Sequence, residues 1–584
     1  MKVRRSAVLL AVLLVASAPA WPAAPTHGTG PPKTSAPRCG VPPATQPTTT
    51  KPAADDNDST PHRVEPDEVW TNGSVTGRGA AIDYCAVAAT LVVHAKDSDD
   101  AQPAADSAKK AASDDSDTNP AATASMFYVA YFRRGVEASG RPITFLFNGG
   151  PGSATIWLHM GAFGPRRVDT ADARHSSPAP YRLANNDQSL LDVSDLVFID
   201  APGTGFSRIS GTDKEKQFYG VDEDTYAFSE FITAFLSRHK RWNSPKYLFG
   251  ESYGTTRAAV LVNMLQDNPG VDFNGVIMLS QVLSTSSFPD QPKRTPGNDL
   301  PYLLSLPTYA AAAWYHHQPA DQRLNPVPKT LLRDVEHFAL NDYAVALTAG
   351  AAMDRDTRDA VVAKLHEFTS LPTEYLLRSE LRVEADEFRQ ELLRDRGMIV
   401  GGTDTRFEGH ALNRTSRRAR YDPSDSAIAS AYVSSFNDYV RSVLKYGEGK
   451  SYRPVVNDIS DKWSFQHHSP DDADGDAGAG QTVNVMPDLA RAMKLNPLLK
   501  IQLNTGFYDL LTPYLEGIYE LRHLQIPNEL QDNIEYRCYQ SGHMIYLAND
   551  ALAELHDNVA DFIERTSSHQ PRNVQPKVGR SECP

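Results

Sequence analysis

The chain has 584 residues, and its 58 basic against 72 acidic side chains give a formal charge of -14. That length suffices to bury a full hydrophobic core, as one large domain with insertions or as two to three smaller ones. The acidic balance weighs against nucleic acid as a partner.

At the start, Lys2, Arg4 and Arg5 precede the apolar stretch Ala7 to Ala16, and Ser17, Ala18, Pro19 and Ala20 offer small residues for cleavage. Residues 1–20 therefore read as a signal peptide, and the chain as exported, secreted or otherwise extracytoplasmic. The stretch is shorter than the roughly 20 apolar residues of a membrane span, so no stable membrane insertion is expected. Residues 21–67, rich in Pro, Ala and Thr, read as a disordered leader. Cys39, Cys85, Cys538 and Cys583 allow one or two disulfides in an oxidising compartment, while their wide spacing offers no metal knuckle.

Ordered patterning starts near Val75. "AIDYCAVAATLVVHA" and "SMFYVAYF" predict strands on either side of an acidic, polar insertion at 96–122, since burying those charges would be costly. Ile143 to Phe147 predict a buried strand running into the glycine-rich "NGGPG", and Leu196 to Ile199 a second running into "DAPGTGFS". "TYAFSEFITAFLSRH" has helical spacing. "KYLFG" predicts a strand, "TTRAAVLVNML" a helix and "FNGVIMLSQ" a further strand. Alternating strand, glycine turn and helix indicate an α/β sheet with reactive loops at the carboxyl ends of its strands.

Between residues 285 and 490 the pattern turns mostly helical, with "KTLLRDVEHFALNDYAVAL", "RDAVVAKLHEF" and "SELRVEADEFRQELLRD" as predicted helices. Strand signals resume in "LLKIQLNTGFYDLLTP" and "NIEYRCYQSGHMIYL", followed by a final helix near Asp550 to Ile563 and a polar tail over 567–584. The organisation is thus a sheet domain in two parts, 68–284 and 491–566, with a helical cap or lid inserted at 285–490.

Gly250-Glu251-Ser252-Tyr253-Gly254 places small residues two positions either side of a serine at a strand-to-helix turn. That permits a strained elbow holding the hydroxyl clear of the backbone, where a helix N-terminus favours developing negative charge. A serine needs a base, and the base an orienting acceptor. In sheets with this elbow, acid and histidine follow the serine in that order, which narrows the choice among 17 histidines; Asp509, after the strand "IQLNTG", and His543, between a glycine and a helix start in "QSGHMIYL", suit the two roles. His175, His410, His467 and His468 lie in polar stretches and read as surface residues.

The pieces "FLFNGGPGSA", "GAFGP", "DLVFIDAPGTGFS", "YLFGESYG", "NTGFYDLLTP" and "SGHM" together resemble the serine carboxypeptidase family. The resemblance implies an α/β-hydrolase fold, a central, mostly parallel mixed sheet flanked by helices with a largely helical cap insertion. It implies Ser252 as nucleophile, Asp509 as orienting carboxylate and His543 as base, with the backbone amides of Gly150 and Tyr253 as oxyanion hole. It also implies that Asn148 and Glu251 bind the terminal carboxylate of peptides with free C-termini. Two carboxylates approach only by sharing a proton, so such binding is favoured in acid, within the limit that His543 must stay unprotonated. The chain departs from the family at Thr255, where many members have glycine, and at Leu146, where many have tryptophan. No cofactor or metal is required; "GTGFS" lacks the lysine and spacing of a phosphate loop. An esterase or acyltransferase with the same triad, or an exported binding protein on the same fold, are the alternatives. Asn72 and Asn413 head sequons.

Overall fold

The computed structural model describes residues 67–96, 122–567 apart from 212, 268, 290–294, 320–321, 324 and 471–482, and 582–584. The expected signal peptide, leader and most of the polar insertion lie outside the described residues. Long antiparallel strands open the fold: β1 (Glu68–Gly77), β2 (Ala80–His94) and β3 (Thr123–Arg133). β4 (Ile143–Phe147) follows, then a short hairpin of β5 (Arg166–Val168) and β6 (Leu183–Asn185). β7 (Asp195–Ile199), β8 (Arg208–Ser210), β9 (Lys246–Glu251) and β10 (Gly275–Leu279) complete the first part. A second small hairpin pairs β11 (Met398–Val400) with β12 (Glu408–His410), before β13 (Lys500–Gly506) and β14 (Ile534–Tyr539).

Ten strands form one sheet in the order β1-β2-β3-β7-β4-β9-β10-β13-β14, with β8 on β3. β1, β2, β3 and β7 pair antiparallel; from β7 through β4, β9, β10 and β13 to β14 every pairing is parallel. Every residue of β4, β7, β9 and β10 is buried, which is why they read as unbroken apolar runs: helices cover both faces. Alternation divides their side chains between two cores. Phe145, Phe147, Leu248 and Met278 enter the core made with α1 (Val221–Arg238) and α2 (Tyr253–Asp267). Leu146, Phe249 and Leu279 enter the opposite one.

The helical insertion includes α3 (Leu300–His317) and ends in α4 (Pro423–Ser442) and α5 (Met486–Leu495). Its first part has a core of its own, with Leu306, Val335, Phe338 and Phe388 buried together, while α4 covers the second sheet core through Ile428 and Phe436. The sheet then resumes, β13 pairing with β10, followed by α6 (Tyr514–Arg522) and, after β14, α7 (Asn549–Thr566). The helix expected across 379–395 is shorter, Ala385–Glu391. Glu380 and Leu381 adopt positive φ of 52° and 66°, and Arg382 turns aside to grip Asp299 at 2.7 and 2.8 Å. Cys583, at the end of the polar tail, is disulfide-bonded to Cys538 of β14, closing a 45-residue separation. Cys85 is also disulfide-bonded. Among the described residues no helix is long and apolar enough to cross a membrane.

Candidate active site

Ser252 stands where β9 turns into α2, at φ 59°, a left-handed conformation costly for a residue with a Cβ and characteristic of strained functional turns. Its backbone N donates to Leu279 O at 2.9 Å, so the elbow leans on β10. The flanking glycines are demanded by space. A Cβ on Gly250 would strike Gly254 O, and one on Gly254 would lie 2.8 Å from Phe147 O. Thr255 is buried, and its hydroxyl donates to Ser252 O at 2.7 Å and accepts from Val282 N at 2.8 Å. This departure from the family pattern braces the elbow. Leu146, the other departure, is wholly buried in the core.

Asp509 and His543 come together as their order in the chain suggested. His543 Nδ1 lies 2.8 Å from Asp509 Oδ2, so the imidazole donates there, an ionised carboxylate being acceptor only. Asp509 is itself fixed, accepting from Leu511 N and Thr512 N at 3.0 Å and from the Thr512 hydroxyl at 2.6 Å. The His543 backbone is anchored from both sides: its N donates to Thr403 O at 2.7 Å, and its O accepts from the Ser280 hydroxyl at 2.7 Å. Burial opposes protonation of His543, but the Asp509 carboxylate, with Glu251 and Asp425 nearby, outweighs it and raises the pKa to about 9. Of the two hydrogen bonds expected of a Ser252–His543–Asp509 triad, this one, between histidine and acid, is formed among the described residues.

Glu251 is 3% exposed. Burial pushes its pKa up to about 7, against the opposing pull of His543 and of hydrogen bonds from Tyr546 and Asn148. Tyr546 donates to both carboxyl oxygens, at 3.1 and 2.9 Å. Asn148 accepts from Leu158 N through Oδ1 at 3.1 Å, which turns its amide nitrogen toward Glu251. The structure therefore joins Asn148 and Glu251 as one buried pair beside Ser252. Gly150, at φ 109°, follows Gly149, where a Cβ would lie 2.5 Å from Tyr253 N. The glycine loop thus lies directly on the N-terminus of α2. "DAPGTGFS" supports it from behind: Asp200 Oδ1 accepts from Thr155 N at 2.8 Å.

Sequence reading missed Tyr546, Thr403 and Asp404. Tyr546 was visible as the one hydroxyl in "HMIYL". Asp404 Oδ2 accepts from Gly542 N at 3.2 Å and Arg406 clasps Asp404, a contact between distant segments without local signature. His467 departs from the surface reading. Its ring is 5% exposed, with Nε2 at 2.8 Å from Asp488 Oδ2 and Nδ1 against Asp222 Oδ1 at 2.5 Å. His175, His410 and His468 are exposed.

A mostly parallel sheet, helices on both faces and a serine elbow after a central strand define an α/β-hydrolase fold. Residues 105–285 match the model of the serine carboxypeptidase family, which bears out the resemblance for the motifs from "FLFNGGPGSA" to "YLFGESYG" that lie within it. A stretch of 171 residues is 26% identical to serine carboxypeptidase ctsa-3.2 of Caenorhabditis elegans, covering 27% of this chain and 31% of that protein. The chain therefore spans about a third of the curated relative it matches. Among solved structures, proline iminopeptidase of Mycobacterium smegmatis aligns with 13% identity over 76% of this chain and 96% of its own, at a TM-score of 0.30. The peroxisomal α/β-hydrolase Lpx1 of Saccharomyces cerevisiae aligns with 9% identity over 83% and 92%, at 0.32.

Proposed function

We propose that the chain is an exported serine carboxypeptidase that removes single residues from peptides with free C-termini, without metal or organic cofactor. The observation that carries this reading is the buried Asn148–Glu251 pair next to Ser252. A carboxyl group whose pKa is raised to about 7 by burial is a neutral hydrogen-bond donor below that pH. Beside an amide nitrogen, it matches a substrate carboxylate.

In the proposed reaction Ser252 Oγ attacks the carbonyl of the last peptide bond while His543 Nε2 takes its proton, and Asp509 stabilises the imidazolium. The oxyanion is held by the amides of Gly150 and Tyr253. The C–N bond breaks, His543 returns the proton to the leaving amine, and the terminal amino acid departs. Water, activated by the same histidine, then hydrolyses the acyl-Ser252 ester. Acid favours carboxylate binding, through neutral Glu251. Base catalysis demands neutral His543, whose pKa is raised, so turnover is greatest where the two requirements overlap, above the range that suits binding alone.

The test compares a free-acid peptide with its C-terminally amidated twin, with products identified by mass spectrometry. Release of one residue from the free acid alone supports the reading. Equal cleavage of both peptides, or turnover that persists in Ser252→Ala, sinks it.

A further inference from the structure

Behind the glycine loop lies an ion pair that the reaction above does not use. Arg257 on α2 and Asp224 on α1 have side chains 0% and 1% exposed, and Arg257 Nε donates to Asp224 Oδ2 at 2.6 Å. The guanidinium is packed among aromatic rings, its Cζ 4.3 Å from the Phe228 centroid, 5.3 Å from Phe147 and 5.5 Å from Tyr253. A buried ion pair rarely adds stability over apolar residues of the same volume, so its presence calls for another reason.

The second donor supplies one. Arg257 Nη1 donates to Asn148 O at 2.9 Å. That oxygen belongs to the peptide joining Asn148 to Gly149, and its orientation sets the course of the loop toward Gly150. On the elbow side the loop has no slack, because Gly149 already touches the start of α2. Arg257 stands on the first turn and a half of that same helix, so one side chain ties the loop carrying one oxyanion amide to the helix carrying the other.

From the outer side the loop is held by the segment at 452–464. Ala154 N donates to Pro454 O and Val456 N to Gly152 O, both at 2.9 Å, and Trp463 meets the Tyr253 ring edge-on at 5.3 Å. Arg257 Nη2 and Asp224 Oδ1 are buried without a formed hydrogen bond among the described residues.

We propose that Arg257, oriented by Asp224, is a positioning residue that fixes the 148–150 peptides against the α2 N-terminus and so sets the oxyanion hole. The proposal rests on the hydrolase reading above. An oxyanion donor misplaced by about 1 Å costs on the order of 10²-fold in rate.

The deciding variant is the double replacement Arg257→Met/Asp224→Leu, which leaves no unpaired charge buried and so is expected to fold. We expect a melting temperature near that of the wild type, about 10²-fold lower kcat on peptide and ester, and an equal slowing of Ser252 labelling by a fluorophosphonate. Binding of a free-acid product should change far less. Arg257→Lys keeps a cation opposite Asp224 without the planar fork, and we expect it to recover part of the labelling rate. It also serves as the test should the double variant not fold. Wild-type labelling rates in either folded variant overturn this proposal alone. Failure of the wild-type protein to be labelled at Ser252 overturns the hydrolase reading and this proposal with it.

Discussion

Replacing Glu251 by glutamine separates the titration of this side chain from its shape. In the folded protein burial moves its pKa from the ordinary 4.5 to about 7. Between those values the folded state holds a proton that the unfolded chain has released, so stability is fullest below pH 4.5 and declines as pH rises through 7. At roughly 1.4 kcal/mol for each pH unit, the interval corresponds to about 3 kcal/mol, which Glu251→Gln should abolish. Denaturant unfolding at pH 4.5 and pH 8 measures it: the wild type should lose about 3 kcal/mol more than the variant. Binding should follow the same proton. In a Ser252→Ala background, the Kd of a free-acid peptide should be constant below pH 7 and weaken by about tenfold per pH unit above it. With Glu251→Gln added, it should be flat. The variant also removes a negative charge that helps keep His543 protonated, so the limb of ester hydrolysis assigned to His543 should move to lower pH. Parallel stability and binding profiles in the two proteins would refute the assignment of a neutral, carboxylate-binding Glu251.

Other changes probe the remaining parts. Ser252→Ala should lower kcat by at least about 10⁴-fold while free-acid peptides still bind, and Asp509→Asn should cost about 10⁴-fold by orienting the wrong tautomer; steady-state kinetics with calorimetry reads both. Tyr546→Phe removes a hydrogen bond that favours ionised Glu251, so the alkaline loss of peptide binding should begin at higher pH. Gly149→Ala forces a Cβ to 2.5 Å from Tyr253 N and should cost about 1–3 kcal/mol of stability, together with most Ser252 labelling. Cys583→Ser opens a 45-residue closure and should cost about 2–4 kcal/mol in denaturant unfolding.

The parts of this molecule legible in its sequence are those where one local pattern fixes one geometry. β4 and β9 read correctly because strands buried on both faces must be continuously apolar, and the elbow because Gly250 and Gly254 fill places where a Cβ collides. Asp509 and His543 are picked out by chain order together with the strand before one and the glycine before the other. What escaped is assembled from segments far apart. Tyr546 reaches Glu251 across 295 positions, Thr403 reaches the His543 backbone from the inserted region, and the His467 ring is enclosed where α1 and α5 each bring an aspartate to it. The helix expected over 379–395 failed for a related reason. Its leucine and valine spacing suits a helix, but the chain turns at positive φ at Glu380 and Leu381, and Leu381 and Val383 enter the insertion's core from outside the helix.

The most direct test of the account is to trap the acyl-enzyme. Rapid acid quench of the protein with a free-acid peptide, followed by intact mass and peptide mapping, should show an adduct on the fragment containing Ser252. Its mass should correspond to the substrate acyl group without the C-terminal residue. An adduct that retains the last residue, or one on any fragment lacking Ser252, would contradict it.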